Sequence, residues 1–160
     1  MSRLTESAAW QALALMAQQA AQQHGALLQP CGDAVMLVFG AFENRPARDS
    51  LRQALAVAAL LQRAWRDSEE SGALALALSS GHALAAALPG LGFCVVGAPV
   101  EQAVGLQQLA ARVRRSGLLC SEEAYLALRR DHGSSWQPTD LRVSVANRPP
   151  QAVYRWGESS

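Results

Sequence analysis

The sequence LQPCGDAVMLVFG, at residues 28–40, constrains the fold more than any other stretch of the chain. A short extended run leads into Gly32 and Asp33, and an apolar run that ends at Phe39 follows. A Gly-Asp pair between two strands is typical of a β-hairpin. An acidic residue at such a turn also carries the oxygen ligands that divalent metals prefer. Asp33 therefore has two interpretations, as a turn residue that bonds its own backbone and as a candidate metal ligand.

Three long helices are predicted from apolar residues that recur at helical spacing. The first begins at a Thr5 or Ser7 cap and ends at Gly25, and the second opens at Pro46. The third starts at Gly97-Ala98-Pro99, and a shorter fourth helix follows a Ser121 cap. The predicted inward residues of the second helix are Leu51, Leu55, Ala58, Leu61 and Trp65. Those of the third are Val100, Ala103, Leu106, Ala110 and Val113.

Strands are predicted between these helices. The sequence ALALALS, at residues 73–79, places leucines on one face and small residues on the other, which is typical of a strand covered on both sides. We expect residues 83–88 to pair with it as a hairpin. Further strands are predicted at 93–96, 117–120, 141–146 and 152–156. Interleaved helices and hairpins predict an α+β fold, with helices packed on a mixed or mostly antiparallel sheet.

Composition narrows the classes of partner and compartment. The chain has 160 residues, half of them apolar, which predicts one domain. A net charge of +1 provides no basic face, so no nucleic-acid partner is expected. The three cysteines lack CxxC spacing and lie in or beside apolar runs, which predicts reduced thiols in a cytosolic protein. No apolar run reaches the length of a membrane span.

Four segments, in this order and spacing, resemble the class III adenylate and guanylate cyclase catalytic domain. They read GDAVMLVFG, LALALSSGHALAAALPG, FCVVGAPVEQAVGLQQLA and GLLCSEEAYLAL. The resemblance implies a ferredoxin-like cyclase-homology fold for residues 1–160, as a single domain or as a fragment of a longer signalling protein. The family's first core strand, which precedes its first helix, is missing from this sequence.

The resemblance also implies where an active site lies. In the family, two domains pair head to tail, and two aspartates of one domain hold two metal ions. Asp33 matches the second of these aspartates, and no aspartate precedes it in the chain. Because one carboxylate is a poor site for two hydrated magnesium ions, we favour the turn role of Asp33 over the metal role.

The other functional positions of the family fall on residues without the required chemistry. The base-reading lysine falls on Gln29, and all 14 basic residues of the chain are arginine. The acidic or threonine companion of that lysine falls on Cys94. The asparagine that stabilises the transferring phosphate falls on Glu101, whose charge repels phosphate. The arginine with the same role falls on Gly105, which has no side chain.

Three functions follow from these residues and stay open at this point. The first is a catalytically degenerate cyclase-like domain that acts in signalling through dimerisation or partner regulation. The second is a divergent adenylate or guanylate cyclase that forms cyclic nucleotide from ATP or GTP with two Mg²⁺ or Mn²⁺ ions. The third is an unrelated ferredoxin-like protein-interaction module.

The first function is preferred, and it carries expectations about cofactors, partners and location. It requires no cofactor, and binding of a nucleotide triphosphate is left open. The expected partner is a second copy of the chain, a second cyclase-like domain or a sensor domain. The expected location is the cytoplasm, as a free protein or as the cytosolic domain of a membrane protein.

Overall fold

The computed structural model describes residues 2–31, 34–42, 45–68, 72–113 and 117–157, with side chains from residue 8 onward. The described part contains four α-helices and eight β-strands. The helices are α1 (Ser2–His24), α2 (Ala47–Asp67), α3 (Ala98–Arg112) and α4 (Glu122–His132). The strands are β1 (Leu27–Cys31), β2 (Ala34–Val38), β3 (Ala75–Leu78), β4 (Leu84–Leu88), β5 (Gly92–Val96), β6 (Gly117–Ser121), β7 (Trp136–Val143) and β8 (Gln151–Trp156).

The strands form one four-stranded sheet and two separate hairpins. The sheet has the order β3-β6-β8-β7, in which the β3–β6 pair is parallel and the other pairs are antiparallel. The hairpins are β1–β2 and β4–β5, both antiparallel. This is the predicted α+β architecture with a mixed, mostly antiparallel sheet. Between β2 and β3 there is no ladder in the described part of the chain.

One predicted pairing is wrong. Residues 83–88 were expected to form a hairpin with 73–79, whereas β4 pairs with β5 and β3 pairs with β6. The tight turn after β4 explains the difference, because Gly90 and Gly92 adopt φ of +78° and +74°, which residues with a Cβ rarely adopt. This turn brings β5 directly against β4 and leaves β3 free to pair with a strand about 40 residues further on.

Helices cover both faces of the four-stranded sheet. On one face, Leu51 and Leu55 of α2 and Leu128 of α4 pack against β3 and β6. On the other face, Leu106 and Ala110 of α3 pack against β6, β7 and β8. Strand β3 turns its leucines toward α2 and its alanines toward α3, as its alternation predicted. The predicted inward stripe of α2 is confirmed, whereas Val113 just after α3 is 43% exposed.

The β1–β2 hairpin packs against α1 and α2, and in the described part of the chain no ladder joins it to the four-stranded sheet. Leu37 and Phe39 contact a cluster centred on Val57, Leu61 and Trp65 of α2. Gln53 on α2 donates a hydrogen bond of 3.0 Å to the carbonyl of His24, which ties α2 to the end of α1. The hairpin is therefore held by helices on one face.

The predicted cap of the fourth helix is confirmed. The Ser121 hydroxyl is fully buried and accepts a hydrogen bond of 3.2 Å from the backbone N–H of Ala124. Glu122 and Glu123 occupy the first turn, where the helix dipole favours negative charge. Among the described residues, no helix has the length and apolar character that crossing a membrane requires.

Candidate functional site

Strands β1 and β2 form the hairpin that was predicted to carry Asp33. Cys31 pairs with Ala34 in the ladder, and the turn residues Gly32 and Asp33 lie outside the described residues. The metal-binding prediction for Asp33 therefore stays a prediction. In the described part of the chain, no three His, Cys, Asp or Glu side chains come together as a metal site.

Gln29, which the resemblance places at the base-reading position, uses its whole amide to bind the main chain of β5. Its Nε2 donates to the carbonyl of Val95 over 3.3 Å, and its Oε1 accepts from the N–H of Val95 over 2.9 Å. The amide thus bonds to both the N–H and the carbonyl of Val95, as the backbone of an adjacent strand would do. A lysine has three donors and no acceptor, so it would satisfy only the Val95 carbonyl. The Gln29 side chain therefore links β1 to β5 through two hydrogen bonds.

Cys94 lies next to this contact. It is half-buried on β5 and pairs with Ala86 in the β4–β5 ladder. Gln29 bonds to Val95, the residue after Cys94, although β1 and β5 belong to separate hairpins. The base-reading roles of Gln29 and Cys94 stay a prediction of the resemblance. A thiol in place of a carboxylate or a threonine hydroxyl is a weak donor and a weak acceptor, which provides little for recognising a base edge.

Glu101 and Gly105 lie one turn apart on α3. Glu101 is exposed in the first turn, where the dipole stabilises its negative charge. A Cβ placed on Gly105 would lie only 2.9 Å from Cγ2 of Val143, which is buried on β7. A glycine inside a helix costs about 1 kcal/mol relative to alanine, and the close approach of α3 to β7 explains its presence. An arginine at this position would have to displace Val143.

Two clefts in the described part of the chain do not include these positions. One, of about 790 Å³, is lined by residues such as Ser50, Ser79, His82 and Glu123. The other, of about 330 Å³, lies between β2 and β3. Gln29, Cys94, Glu101 and Gly105 line neither of them. Gln29 lies in the contact between β1 and β5, and Gly105 lies on the face of α3 that packs against β7. Neither contact is part of these two clefts.

The buried ionisable groups of the sheet do not add a reactive centre. Burial raises the pKa of the Cys120 thiol well above its ordinary value, so this cysteine stays protonated and acts as a small core residue. Burial is also the main cause of the raised pKa of Tyr154, which stacks on Tyr125 with ring centroids 3.9 Å apart. Both groups serve packing.

Sequence reasoning missed an exposed apolar face on the β4–β5 hairpin. Leu91 at its tip is 74% exposed, and Phe93 is 54% exposed and contacts Phe42 edge to face, with ring centroids 5.0 Å apart. The exposed large side chains lie on both sides of this hairpin, with Leu84, Leu88 and Val96 on one side, Phe93 beside Phe42 on the other, and Leu91 at the tip. We call this set of residues the hairpin face. The run LAAALPGLGF signals apolar strands, but the wrong pairing of 83–88 with 73–79 implied that they were covered.

Comparisons with known proteins identify the fold. No protein-family model matches the sequence, and no curated protein matches it. Among solved structures, the guanylate cyclase domain of RhGC from Catenaria anguillulae, in complex with GTP, is 22% identical with a TM-score of 0.74. The match covers 100% of this chain and 87% of that one.

Two further structures agree with this match. The adenylyl cyclase CyaB from P. aeruginosa is 16% identical with a TM-score of 0.67, over 96% of this chain and 83% of that one. A dimeric guanylyl cyclase domain of the RhoGC fusion protein from Blastocladiella emersonii is 21% identical with a TM-score of 0.65. That match covers 98% of this chain and 85% of the other. The chain therefore has the fold of the class III adenylyl and guanylyl cyclase catalytic domains.

Proposed function

We propose that this domain is a catalytically degenerate nucleotidyl cyclase-like domain that acts in signalling by association, with a second copy or with a related partner domain. The observation that carries the proposal is the Gln29 contact. The side chain at the base-reading position is bonded at both ends to the main chain of Val95. Reading a nucleobase would require breaking this contact and leaving both backbone groups of Val95 without their partner.

The transition-state positions support the same proposal. A phosphoryl-transfer site needs positive charge where negative charge develops, and removing one such donor commonly costs a factor of about 10² to 10³ in rate. Here an exposed carboxylate, Glu101, stands at one position, and at the other Gly105 packs against Val143. Glu101 would have to change before its position contributed to catalysis. At Gly105, a longer side chain would also require the core around Val143 to repack.

The hairpin face supplies the means of association. Its large apolar side chains are about half exposed or more, and exposed apolar clusters of this kind are typical of protein interaction sites. Phe42 and Phe93 stack edge to face without being covered. Fully burying a large apolar side chain is worth about 1.5–3 kcal/mol, and these partly exposed side chains would contribute a part of that when they are covered on association.

Reversible association also fits one of the structural relatives. The guanylyl cyclase domain of the RhoGC fusion protein from Blastocladiella emersonii has been solved both as a dimer and as a monomer. A domain of this fold thus exists in both states. For the present chain we propose the same exchange, with the hairpin face as the contact and with no requirement for Mg²⁺, Mn²⁺ or nucleotide.

Sedimentation velocity over a range of protein concentrations tests the proposal. We expect a concentration-dependent shift from monomer to dimer, and we expect Leu91→Glu to keep the protein monomeric at concentrations at which the wild type dimerises. The matched control is Leu60→Glu on α2, since Leu60 is 50% exposed but lies outside the hairpin face. A wild-type monomer at every concentration, alone and with candidate partner domains, would remove the support for association.

A further inference from the structure

Strand β4 has one free edge in the described part of the chain. It pairs along its whole length with β5, and no other described strand bonds to it. Its sequence is LAAAL, and four of its five residues are exposed. Proteins normally protect an edge strand from further pairing by charges, by proline or by a bulge. Residues 84–88 contain no charge and no proline, and their ladder with β5 is regular. The free edge of β4 is therefore a template for a further strand.

The opposite side of the same hairpin is already bonded. The N–H and the carbonyl of Val95 on β5 both bond to the Gln29 side chain, over 2.9 and 3.3 Å. A residue of an antiparallel strand directs its N–H and its carbonyl to the same side. Val95 therefore directs both groups away from β4, and it forms a non-hydrogen-bonded pair with its ladder partner Ala85. The outer edge of β5 is thus occupied at Val95, whereas that of β4 is free.

The contact at Val95 also determines which main-chain groups of β4 are free. Hydrogen-bonded and non-hydrogen-bonded pairs alternate along an antiparallel ladder. Because the pair of Ala85 and Val95 is of the second kind, the pair of Ala87 and Phe93, two residues further on, is of the same kind. Ala85 and Ala87 therefore direct their N–H and carbonyl groups away from β5. Two donors and two acceptors point out of the free edge of β4.

We propose that the free edge of β4 pairs antiparallel with β4 of a second copy of the chain, about a two-fold axis at Ala86. This inference rests on the association proposed above and specifies its partner and its geometry. In this register, Ala85 lies opposite Ala87 of the second copy, and each such pair exchanges two hydrogen bonds. All four outward groups of each copy are then bonded. The two hairpins form one four-stranded sheet in which the two β4 strands are central.

The sequence of β4 suits this pairing because it is the same in both directions. Leu84 lies opposite Leu88 of the second copy, and the two leucines are 65% and 42% exposed in a single copy. Apolar side chains directly opposite each other on neighbouring strands are close enough to pack together. Ala86 lies opposite its own symmetry mate in a non-hydrogen-bonded pair, where the Cα atoms approach to about 4.5 Å. The small side chain of alanine suits so close an approach.

This match and the charge of the chain favour a second copy over another polypeptide. A foreign segment would have to present its own apolar strand in a matching register, whereas β4 matches itself. Strands β4 and β5 contain no charged residue, and the net charge of the chain is +1, so two copies approach with little repulsion. The pairing also involves the hairpin face. Leu84, Leu88 and Val96 of both copies lie on one side of the joined sheet, and Leu91 at the tip lies beside the start of β4 in the second copy.

Disulfide cross-linking tests the register on the full chain, in a background with Cys31→Ser and Cys94→Ser that keeps the buried Cys120. Ala86→Cys should form a disulfide-linked dimer on mild oxidation, because its symmetry mate lies directly opposite. Ala87→Cys is the matched control, since its mate lies two residues further along the strand, beyond the Cα separation of about 7 Å that a disulfide spans. Non-reducing electrophoresis measures both. Equal cross-linking of the two variants would overturn the pairing.

A proline variant tests the hydrogen bonds of the edge. Ala87→Pro removes one donor from the free edge and keeps the ladder with β5, because the Ala87 N–H points away from β5. By symmetry the dimer loses two hydrogen bonds, and its dissociation constant should rise at least about tenfold. Ala87→Ser keeps the N–H and should leave the constant unchanged. Circular dichroism establishes that both variants are folded. A folded Ala87→Pro variant with the dissociation constant of the wild type would contradict the proposal.

The result for the wild type separates this inference from the proposed association. Dimers that Leu91→Glu abolishes but that Ala86→Cys fails to cross-link would overturn the edge pairing and would still support association through the hairpin face. A wild type that is monomeric at every concentration and binds only a related partner domain would overturn the choice of a second copy. A wild type that associates with neither would overturn both proposals.

Discussion

Strands β6 and β4 have the same length and opposite surroundings. β6 lies between β3 and β8, and four of its five residues are buried. β4 has one neighbour, β5, and four of its five residues are exposed. Both are apolar, with the sequences GLLCS and LAAAL. Apolar content alone therefore does not determine what a strand does in this protein.

The difference in burial between β6 and β4 bears on whether an apolar strand contributes to stability or to the proposed association. The region around β6 has buried its apolar surface within the chain, so its residues contribute to folding. The hairpins β1–β2 and β4–β5 keep half-buried and exposed apolar residues, and this surface is the one that the proposed association would cover. Variants that shorten or enlarge side chains in the buried and the exposed regions test this difference. They are ordered below by the size of the expected effect.

The largest effect is expected for Leu128→Ala on α4. Leu128 is completely buried between α4 and the sheet, and truncation of a buried leucine costs about 2–5 kcal/mol of unfolding free energy. Leu126→Ala on the same helix is the matched control, since Leu126 is 47% exposed and should cost less than about 1 kcal/mol. Urea unfolding followed by circular dichroism measures both. Equal losses for the two variants would contradict the assignment of the core.

The next effect concerns Gly105. Introducing an arginine there should cost about 1–3 kcal/mol of stability, because a Cβ at this position would lie only 2.9 Å from Cγ2 of Val143. Gly105→Ala should fail to give the gain of about 1 kcal/mol that alanine normally brings to a helix, and it should regain it in a Val143→Ala background. Ala111→Arg is the control for a surface arginine on α3. A stable, unperturbed Gly105→Arg variant would show that the close packing is not a barrier.

A smaller and local effect is expected for Gln29→Ala. The substitution removes both hydrogen bonds to Val95, and about 1 kcal/mol of stability should be lost because water reaches this half-buried site. Exchange of the Val95 amide hydrogen should speed up, while that of amides in β6 should not change. Gln29→Glu keeps an acceptor for the Val95 N–H but loses the donor. Its exchange rate at Val95 should therefore lie between those of the wild type and Gln29→Ala. Unchanged exchange at Val95 would contradict the two-point contact.

The smallest effect concerns Asp131, at the junction of α2 and α4. Hydrogen bonds from Arg52 and Arg48, as short as 2.8 Å, lower the pKa of this carboxyl below 3.8. Because the folded-state pKa is the lower one, its stabilisation is complete above the unfolded pKa and is lost as the pH falls through the folded pKa. The stability difference between wild type and Asp131→Asn should therefore shrink below about pH 4. A difference that stays constant from neutral pH down to pH 2 would contradict the ion pair.

Local patterns predicted the elements better than the pairings. The stripe of α2, the cap at Ser121 and the β1–β2 hairpin follow from neighbouring residues, and all three are confirmed. The parallel β3–β6 pair joins residues about 40 positions apart, and no local pattern distinguishes it from a hairpin between β3 and β4. The packing of the connecting helices determines which strands come to lie side by side.

The candidate site shows the same limit. The resemblance predicts that the functional positions of the family fall on Gln29, Cys94, Glu101 and Gly105, and their side-chain types differ from those the chemistry requires. It did not show that Gln29 binds Val95, 66 residues away, or that Gly105 is pressed against Val143. These contacts depend on the packing of distant elements. The Gln29–Val95 and Gly105–Val143 contacts provide a physical reason why a single substitution at Gln29 or Gly105 would not be enough to place a cyclase side chain there.

The central claim is that this cyclase fold lacks cyclase activity. Incubation with ATP or GTP and Mn²⁺, with product measured by mass spectrometry, tests it most directly. Wild type and Asp33→Ala are predicted to yield the same amount of cyclic nucleotide as a blank without protein. Cyclic nucleotide formed by the wild type and abolished in Asp33→Ala would contradict the claim and establish an active enzyme.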